Sequence, residues 1–168
     1  DNFLGALVSK DHLAKVLSYV ELAQQEGGKI ETGLEPLNLP EEFKQGYFMR
    51  PTIISGLTAK CRVMQEEIFG PVVVVIPFES ESDVVAMAND NMYGLNGSVW
   101  TRDIARGLRV ARALKSGMIS INSHGSASRY GYLAPFGGYK RSGLGRELGL
   151  HALALYTEIK NVFVDLEN

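Results

Sequence analysis

The chain has 168 residues, 45% of them hydrophobic and 21% charged, with a formal net charge of -2. This is ordinary globular composition for about one domain with a real core, and it gives no whole-molecule attraction to phosphate backbones or acidic lipids, so neither nucleic acid nor membrane is an expected partner. The single cysteine, Cys61, excludes an internal disulfide and fits a reducing compartment, with the cytoplasm the default expectation, and no apolar run approaches the roughly 18 residues of a membrane span.

The chain opens DNFLGALVSK, without Met, as a processed chain or a fragment would. From Ser9 onward, Leu13, Val16, Leu17 and Val20 follow i, i+3, i+4, i+7 spacing. This is the stripe of an amphipathic helix with Ser9 as N-cap and Gly27-Gly28 as its stop. Gly33 to Arg50, with Pro36 and Pro40, reads as an irregular surface excursion before a short strand, TIIS, at Thr52 to Ser55. Around Cys61 the pattern is a turn entering a strand. The run VVVVIPF, Val72 to Phe78, lacks alternation and suits a strand covered on both faces. Ser80 and Asp83 have the spacing of an N-cap and its acidic partner, opening a helix through Val84, Val85 and Met87 that ends near Asn91 to Gly94. GSVWT, Gly97 to Thr101, is a strand. A helix from near Asp103 carries Ile104, Leu108, Ala111 and Leu114 along one side, and MISIN, Met118 to Asn122, is the next strand.

Strand, helix, strand, helix, strand predicts an α/β fold with a mainly parallel sheet, helices on both faces and right-handed crossovers. A glycine-rich stretch follows, PFGGYKRSGLGRELG from Pro135 to Gly149, then a helix to about Tyr156 and a terminal strand NVFVDL, Asn161 to Leu166. That tail is too short for a domain, and an unpaired strand is a template for another chain, so subunit assembly is its natural use.

Few residues carry an obvious chemistry. Gly143 to Gly149 reads G-x-G-x-x-x-G, one residue too long for the dinucleotide fingerprint, and Gly138 to Gly143 lacks the Lys-Ser/Thr of a P-loop. The glycines read instead as tight turns and close backbone approaches. Cys61 has Arg62 beside it but no nearby histidine in sequence, so it reads as a small hydrophobe more readily than as a thiolate nucleophile. His12, His124 and His151 have no metal-ligand spacing, and no metal is expected. Arg102, Arg106, Arg109, Arg112 and Lys115 form a basic stripe that reads as a solvated helix face.

The segment EEIFGPV, Glu66 to Val72, is more suggestive. In an extended chain Glu67 and Phe69 share one face, and Glu66 and Ile68 the other. Gly70, before Pro71, is biased toward extension. An ionised carboxylate only accepts hydrogen bonds and so suits a vicinal diol, while an aromatic two residues along packs on a flat ring beside it. A nicotinamide ribose has both features. The same acids also read simply as a solvated entry to a strand.

Across nearly its whole length, and in the same order, the sequence resembles the NAD(P)-dependent aldehyde dehydrogenase superfamily. The matching pieces are LVSKDHLAKVLSYV (Leu7 to Val20), GYFMRPTI (Gly46 to Ile53), EEIFGPV, ANDNMYGL (Ala88 to Leu95), GSVWTRD (Gly97 to Asp103), PFGGYKRSGLGRELG and YTEIKNV (Tyr156 to Val162). The family oxidises aldehydes to carboxylic acids through a cysteine thioester, with NAD or NADP taking the hydride. The resemblance implies that Glu67 bonds the nicotinamide ribose and Phe69 packs beside it. It further implies that Phe136 lines the aldehyde tunnel and that Glu158 takes part in proton relay. Ser123 to Ala134 stands in the place of a loop that contributes to substrate selection, which makes His124 and Ser126 candidate substrate contacts. This loop is longer here than in many relatives, so the identity of the aldehyde does not transfer with the likeness.

The family's F-x-N-x-G-x-x-C nucleophile segment and E-L-G-G general-base segment do not occur in these 168 residues. The resemblance therefore implies the C-terminal third of a subunit: part of the catalytic domain over residues 1–158 and an oligomerisation strand over 159–168, inactive alone and assembling as a homodimer or homotetramer. YTEIKNV and LGALVSK resemble relatives acting on semialdehydes and betaine aldehyde. Two other readings stand beside this one. In the first, the chain is a naturally short, non-catalytic partner of intact subunits; in the second, it is an independent thiol enzyme using Cys61.

Overall fold

The computed structural model describes residues 4–124 and 132–166, and the chain divides into two units, Asp1–Glu79 and Ser80–Asn168. In the first, helix α1 (Lys10–Gln25) starts where the sequence places it, with the Ser9 hydroxyl accepting from the His12 N–H at 3.1 Å. It stops before Gly27, whose φ of 91° lies in the region that favours glycine. Val16, Val20 and Ala23 form the buried face. Leu17, expected on that stripe, is exposed, and the inward positions are taken by Tyr19 and Ala23.

Strands β1 (Lys29–Thr32), β2 (Thr52–Ser55) and β3 (Val72–Val74) form one sheet in that order, β1 antiparallel and β3 parallel to β2. The β2 to β3 connection carries α2 (Arg62–Gln65), a single helical turn. Cys61 therefore enters a helix and not a strand, because Glu26, just past α1, accepts from the backbone N–H groups of Arg62 and Val63 at 3.0 and 3.3 Å. Ala23, Ile54, Leu57 and Val63 make the core, with Ile68, Val72 and Val74 packed against it.

The expected two-sided cover of the valine run is not found in this unit. Val72 and Val74 turn to the core while Val73 is 58% exposed. Four identical residues carry no periodicity, so the sequence could not distinguish a half-covered strand from a fully covered one. The Gly33 to Arg50 stretch lies largely exposed, with one 3₁₀ turn at Glu41–Phe43. Arg50 holds it by donating to the carbonyls of Glu35 and Pro36, both at 3.0 Å.

In the second unit, α3 (Glu81–Asn89) begins at Ser80, whose hydroxyl accepts from the Asp83 N–H at 3.1 Å. Strands β4 (Tyr93–Gly94) and β5 (Asn96–Val99), helix α4 (Ile104–Ala113), and strands β6 (Met118–Ile121) and β7 (Tyr139–Lys140) follow. β5, α4 and β6 form the expected parallel crossover, paired from Asn96 with Met118 to Val99 with Ile121. Asp103 caps α4 by accepting from the Arg106 N–H at 3.1 Å. The helix buries Gly107 and Val110, and the expected inward residues Ile104 and Leu108 are exposed. Gly107 favours this rotation, since a Cβ there would stand 3.2 Å from the Ile121 side chain and 3.3 Å from that of Thr101, a tight fit that the bare backbone avoids.

The described residues form three small sheets rather than one mainly parallel sheet with helices on both faces. The β2/β3 and β5/β6 pairs are parallel; β1/β2 and β4/β7 are antiparallel. The reason lies in β3, which finds its parallel partner upstream through α2 and not downstream through α3. At the C-terminus, the expected helix is a 3₁₀ stretch, Leu150–Leu155. Asn161 to Leu166 join no ladder among the described residues, because a strand needs a neighbour to satisfy its N–H and C=O groups. Their apolar side chains stand in solvent, Phe163 being 85% exposed.

The glycine-rich stretch is knitted together by backbone. A Cβ on Gly117 would stand 1.8 Å from the Gly137 carbonyl oxygen. Phe136 and Glu147 exchange two main-chain hydrogen bonds at 2.7 Å each. Arg146 donates to the carbonyls of Gly138 and Gly145 at 3.0 and 2.6 Å and lies over the Tyr139 ring. Lys140 donates to the carbonyls of Asn89 and Asn91 at 2.9 and 2.8 Å, where a cation satisfies orphan carbonyls at the end of α3. Gly137, Gly138 and Gly149 thus serve close approach, while Gly143 and Gly145, with φ 145° and 76°, serve turns.

Candidate functional site

Helix α1 turns one polar edge, His12, Lys15 and Tyr19, toward the segment Glu66 to Gly70. The spacing i, i+3, i+7 makes these three a single row. The Tyr19 hydroxyl donates to Glu66 Oε2 at 2.7 Å, and Arg62 donates to both Glu66 oxygens at 2.8 and 3.0 Å. These bonds, the one from Arg62 first, hold the Glu66 carboxyl at about 2 against an ordinary 4.5. Lys15 Nζ donates to the Glu67 carbonyl at 3.2 Å, and His12 Nε2 lies 2.7 Å from the Phe69 carbonyl. A carbonyl only accepts, so that imidazole nitrogen carries the hydrogen.

The segment is not uniformly extended. Phe69 has φ 55°, in the left-handed region, which costs an L-residue roughly 1–2 kcal/mol. The extension expected through Gly70 into the strand is therefore interrupted at Phe69. The role of Gly70 is close approach, since a Cβ there would stand 2.6 Å from Val16. The alternation of faces survives: Glu66 and Ile68 are half-buried, while Glu67 and Phe69 point outward and the Phe69 ring is 72% exposed. The His12 ring meets that ring edge-on, with centroids 6.0 Å apart.

The two acids therefore differ in what they have left to offer. Glu66 is spent on Tyr19 and Arg62. The Glu67 carboxylate makes no hydrogen bond or ion pair among the described residues, and it stands beside an exposed aromatic face. An acceptor-only group next to a flat apolar surface fits a sugar diol joined to a planar heterocycle, so the side chains present fit a nicotinamide riboside.

The second unit holds the other candidates. Phe136 is fixed by its paired bonds to Glu147. His124 stacks at a tilt on Trp100, 5.3 Å between centroids. Ser126 lies outside the described residues. Glu158 is exposed, just beyond Thr157, whose hydroxyl donates to the Leu153 carbonyl at 2.8 Å. In the basic stripe, Arg109 donates to both Glu81 oxygens at 2.6 and 2.7 Å, with Arg106 3.7 Å away, and Arg109 holds the Glu81 carboxyl below its usual range. Cys61 is half-buried against the core of its unit, its sulfur 3.4 Å from the Thr58 hydroxyl. Among the described residues no three His, Cys, Asp or Glu side chains gather to hold a metal, and no helix is long and apolar enough to cross a membrane.

The model of the aldehyde dehydrogenase family matches residues 1–162. The chain belongs to that family. It is 47% identical over 159 residues to betaine aldehyde dehydrogenase from Bacillus subtilis, covering 95% of this chain and 32% of that protein. To 2-aminomuconic semialdehyde dehydrogenase from Danio rerio it is 46% identical, covering 95% of this chain and 33% of that protein. An aldehyde dehydrogenase from Bacillus cereus, solved as an NAD+ complex, superposes with a TM-score of 0.89 at 44% identity over 99% of this chain and 32% of that one. Betaine aldehyde dehydrogenase from Staphylococcus aureus in complex with NAD+ gives 0.85 at 42% identity, over 93% of this chain and 30% of that one. The chain thus has the family's α/β fold and spans about a third of the length of those relatives, 32% of the first.

Sequence reasoning missed His12, Lys15 and Tyr19 as the support of the site. The signal was present in their spacing, but they flank an apolar stripe that claimed the helix for packing alone.

Proposed function

We propose that this chain forms the C-terminal third of an aldehyde dehydrogenase subunit that oxidises an aldehyde to a carboxylic acid with NAD or NADP. Glu67 and Phe69 form one wall of its nicotinamide site. The observation that carries this reading is the uncommitted Glu67 carboxylate beside the exposed Phe69 ring, set on a left-handed turn inside a family whose solved members include NAD+ complexes. The bound nicotinamide supplies the hydride acceptor. Glu67 accepts from the ribose hydroxyls and fixes the rotation of that sugar, while Phe69 covers one side and excludes water.

In the same reading Phe136 lines the aldehyde path, His124 and Ser126 contribute to substrate choice, and Glu158 moves a proton near the general base. The nucleophile and that base come from segments outside these 168 residues, so residues 1–158 complete a catalytic domain only with the rest of the subunit. Residues 159–168 pair with another subunit, giving a dimer or tetramer. NAD is favoured over NADP because the related structures are NAD+ complexes. Betaine aldehyde and 2-aminomuconic semialdehyde head the substrates to try, on the names of the relatives. The test compares the full-length protein carrying this sequence with the chain alone in aldehyde-dependent reduction of NAD and NADP. Activity in the full-length protein only is expected. Equal activity in the 168-residue chain overturns the reading.

A further inference from the structure

We infer that His12 is a positioning residue for hydride transfer: its Nε2–H, bonded to the Phe69 carbonyl, holds the left-handed turn that aims the Phe69 ring and the Glu67 carboxylate at the nicotinamide. The inference rests on the proposed nicotinamide wall and adds to it the device that keeps the wall in shape.

The turn at Phe69, with φ 55°, is an arrangement an L-residue leaves unless something holds it. Three contacts do so here. Ile68 is anchored against the core, and Gly70 lies so close to Val16 that a methyl group has no room. These two fix the ends of the turn but leave the peptide after Phe69 free to rotate between them. The only contact on that peptide's oxygen among the described residues is the His12 imidazole at 2.7 Å. Lys15, one turn further along α1, holds the Glu67 carbonyl in the same way at 3.2 Å. The carbonyls of residues 67 and 69 are thus drawn toward the helix, and their side chains are sent outward.

Without His12 the Phe69 carbonyl faces α1 with no donor. The turn then relaxes toward ordinary extended geometry, and the exposed ring swings with it. Because His12 is half-buried on the same side of α1 as Val16, Val20 and Ala23, the thermal midpoint is followed beside the rate to separate a lost turn from a loosened core.

The experiment uses the full-length enzyme with His12→Ala, His12→Gln and, as a control on the wall itself, Glu67→Gln. The readouts are single-turnover hydride transfer, affinity for ADP, which lacks the nicotinamide and its ribose, and the thermal midpoint. His12→Ala is expected to slow hydride transfer roughly threefold to tenfold, the range for one lost neutral hydrogen bond, with ADP affinity unchanged. His12→Gln, whose amide N–H can reach the same carbonyl, restores most of the rate. A His12→Ala rate equal to wild type while Glu67→Gln is slow overturns the inference and leaves the wall standing. If Glu67→Gln is also unchanged, the wall itself fails. A parallel loss of ADP affinity and hydride rate in His12→Ala marks a merely structural role and overturns the inference too. Should His12→Ala not fold, the wild-type imidazole decides by long-range proton–nitrogen correlation: a hydrogen on Nε2 is expected, and a neutral ring with its hydrogen on Nδ1 overturns the proposal.

Discussion

Two neighbouring glutamates, identical in the sequence, are chemically different in the fold. Glu66 accepts from Arg62 and Tyr19, and its carboxyl is held at about 2 where 4.5 is ordinary. A carboxyl whose folded value is depressed contributes stability above its unfolded value and loses it as pH falls through the folded one. Stability from Glu66 is therefore complete above about 4.5 and disappears toward 2. Glu66→Gln should flatten that part of the acid unfolding curve, followed by circular dichroism, and an unchanged curve would show that these bonds do not form in solution. Alternation along EEIFGPV was enough to separate Glu67 with Phe69 from Glu66 with Ile68, so this half of the site was legible. The left-handed turn at Phe69 and the row from α1 were not, because both depend on contacts 47 to 57 residues apart in the chain.

At the scale of elements, the starts of helices were the most legible feature. Ser9 and Ser80 cap the helices expected to follow them, and Asp103 caps the one expected to start near it, since a cap is a local bond from a side chain to an N–H three residues on. Removing one, Ser80→Ala for instance, should cost about 1 kcal/mol in chemical denaturation. No loss would mean that α3 is held by packing alone. Strand partners were poorly legible, because the sequence marks where a strand lies and not which neighbour it takes. The valine run paired upstream, and α4 turned Gly107 inward where the apolar spacing favoured Ile104 and Leu108. Close approach has a sharper signature than burial. Gly117→Ala, which sets a methyl group against the Gly137 carbonyl, should destabilise the glycine-rich loop by roughly 1–3 kcal/mol or more, as overpacking does. A thermal midpoint equal to wild type would contradict the packing described for that loop.

The whole chain carries a large apolar surface for its size. The outer side of β3, the outward edge of α4 and the segment from Asn161 to Leu166 all stand open. Such surface marks interaction sites, and a chain spanning about a third of its relatives, 32% of the first, accords with cover supplied by the rest of a subunit and by its neighbours. If the terminal segment pairs with another subunit, deleting residues 159–168 from the full-length enzyme should lower its mass by sedimentation, and an unchanged mass would assign assembly elsewhere. The central claim is narrower and is reached by one measurement: single-turnover hydride transfer in the full-length enzyme with Glu67→Gln. Loss of a charge-assisted hydrogen bond predicts a rate roughly tenfold to a hundredfold slower, whereas a hydride rate equal to wild type would contradict the assignment of Glu67 to the nicotinamide ribose.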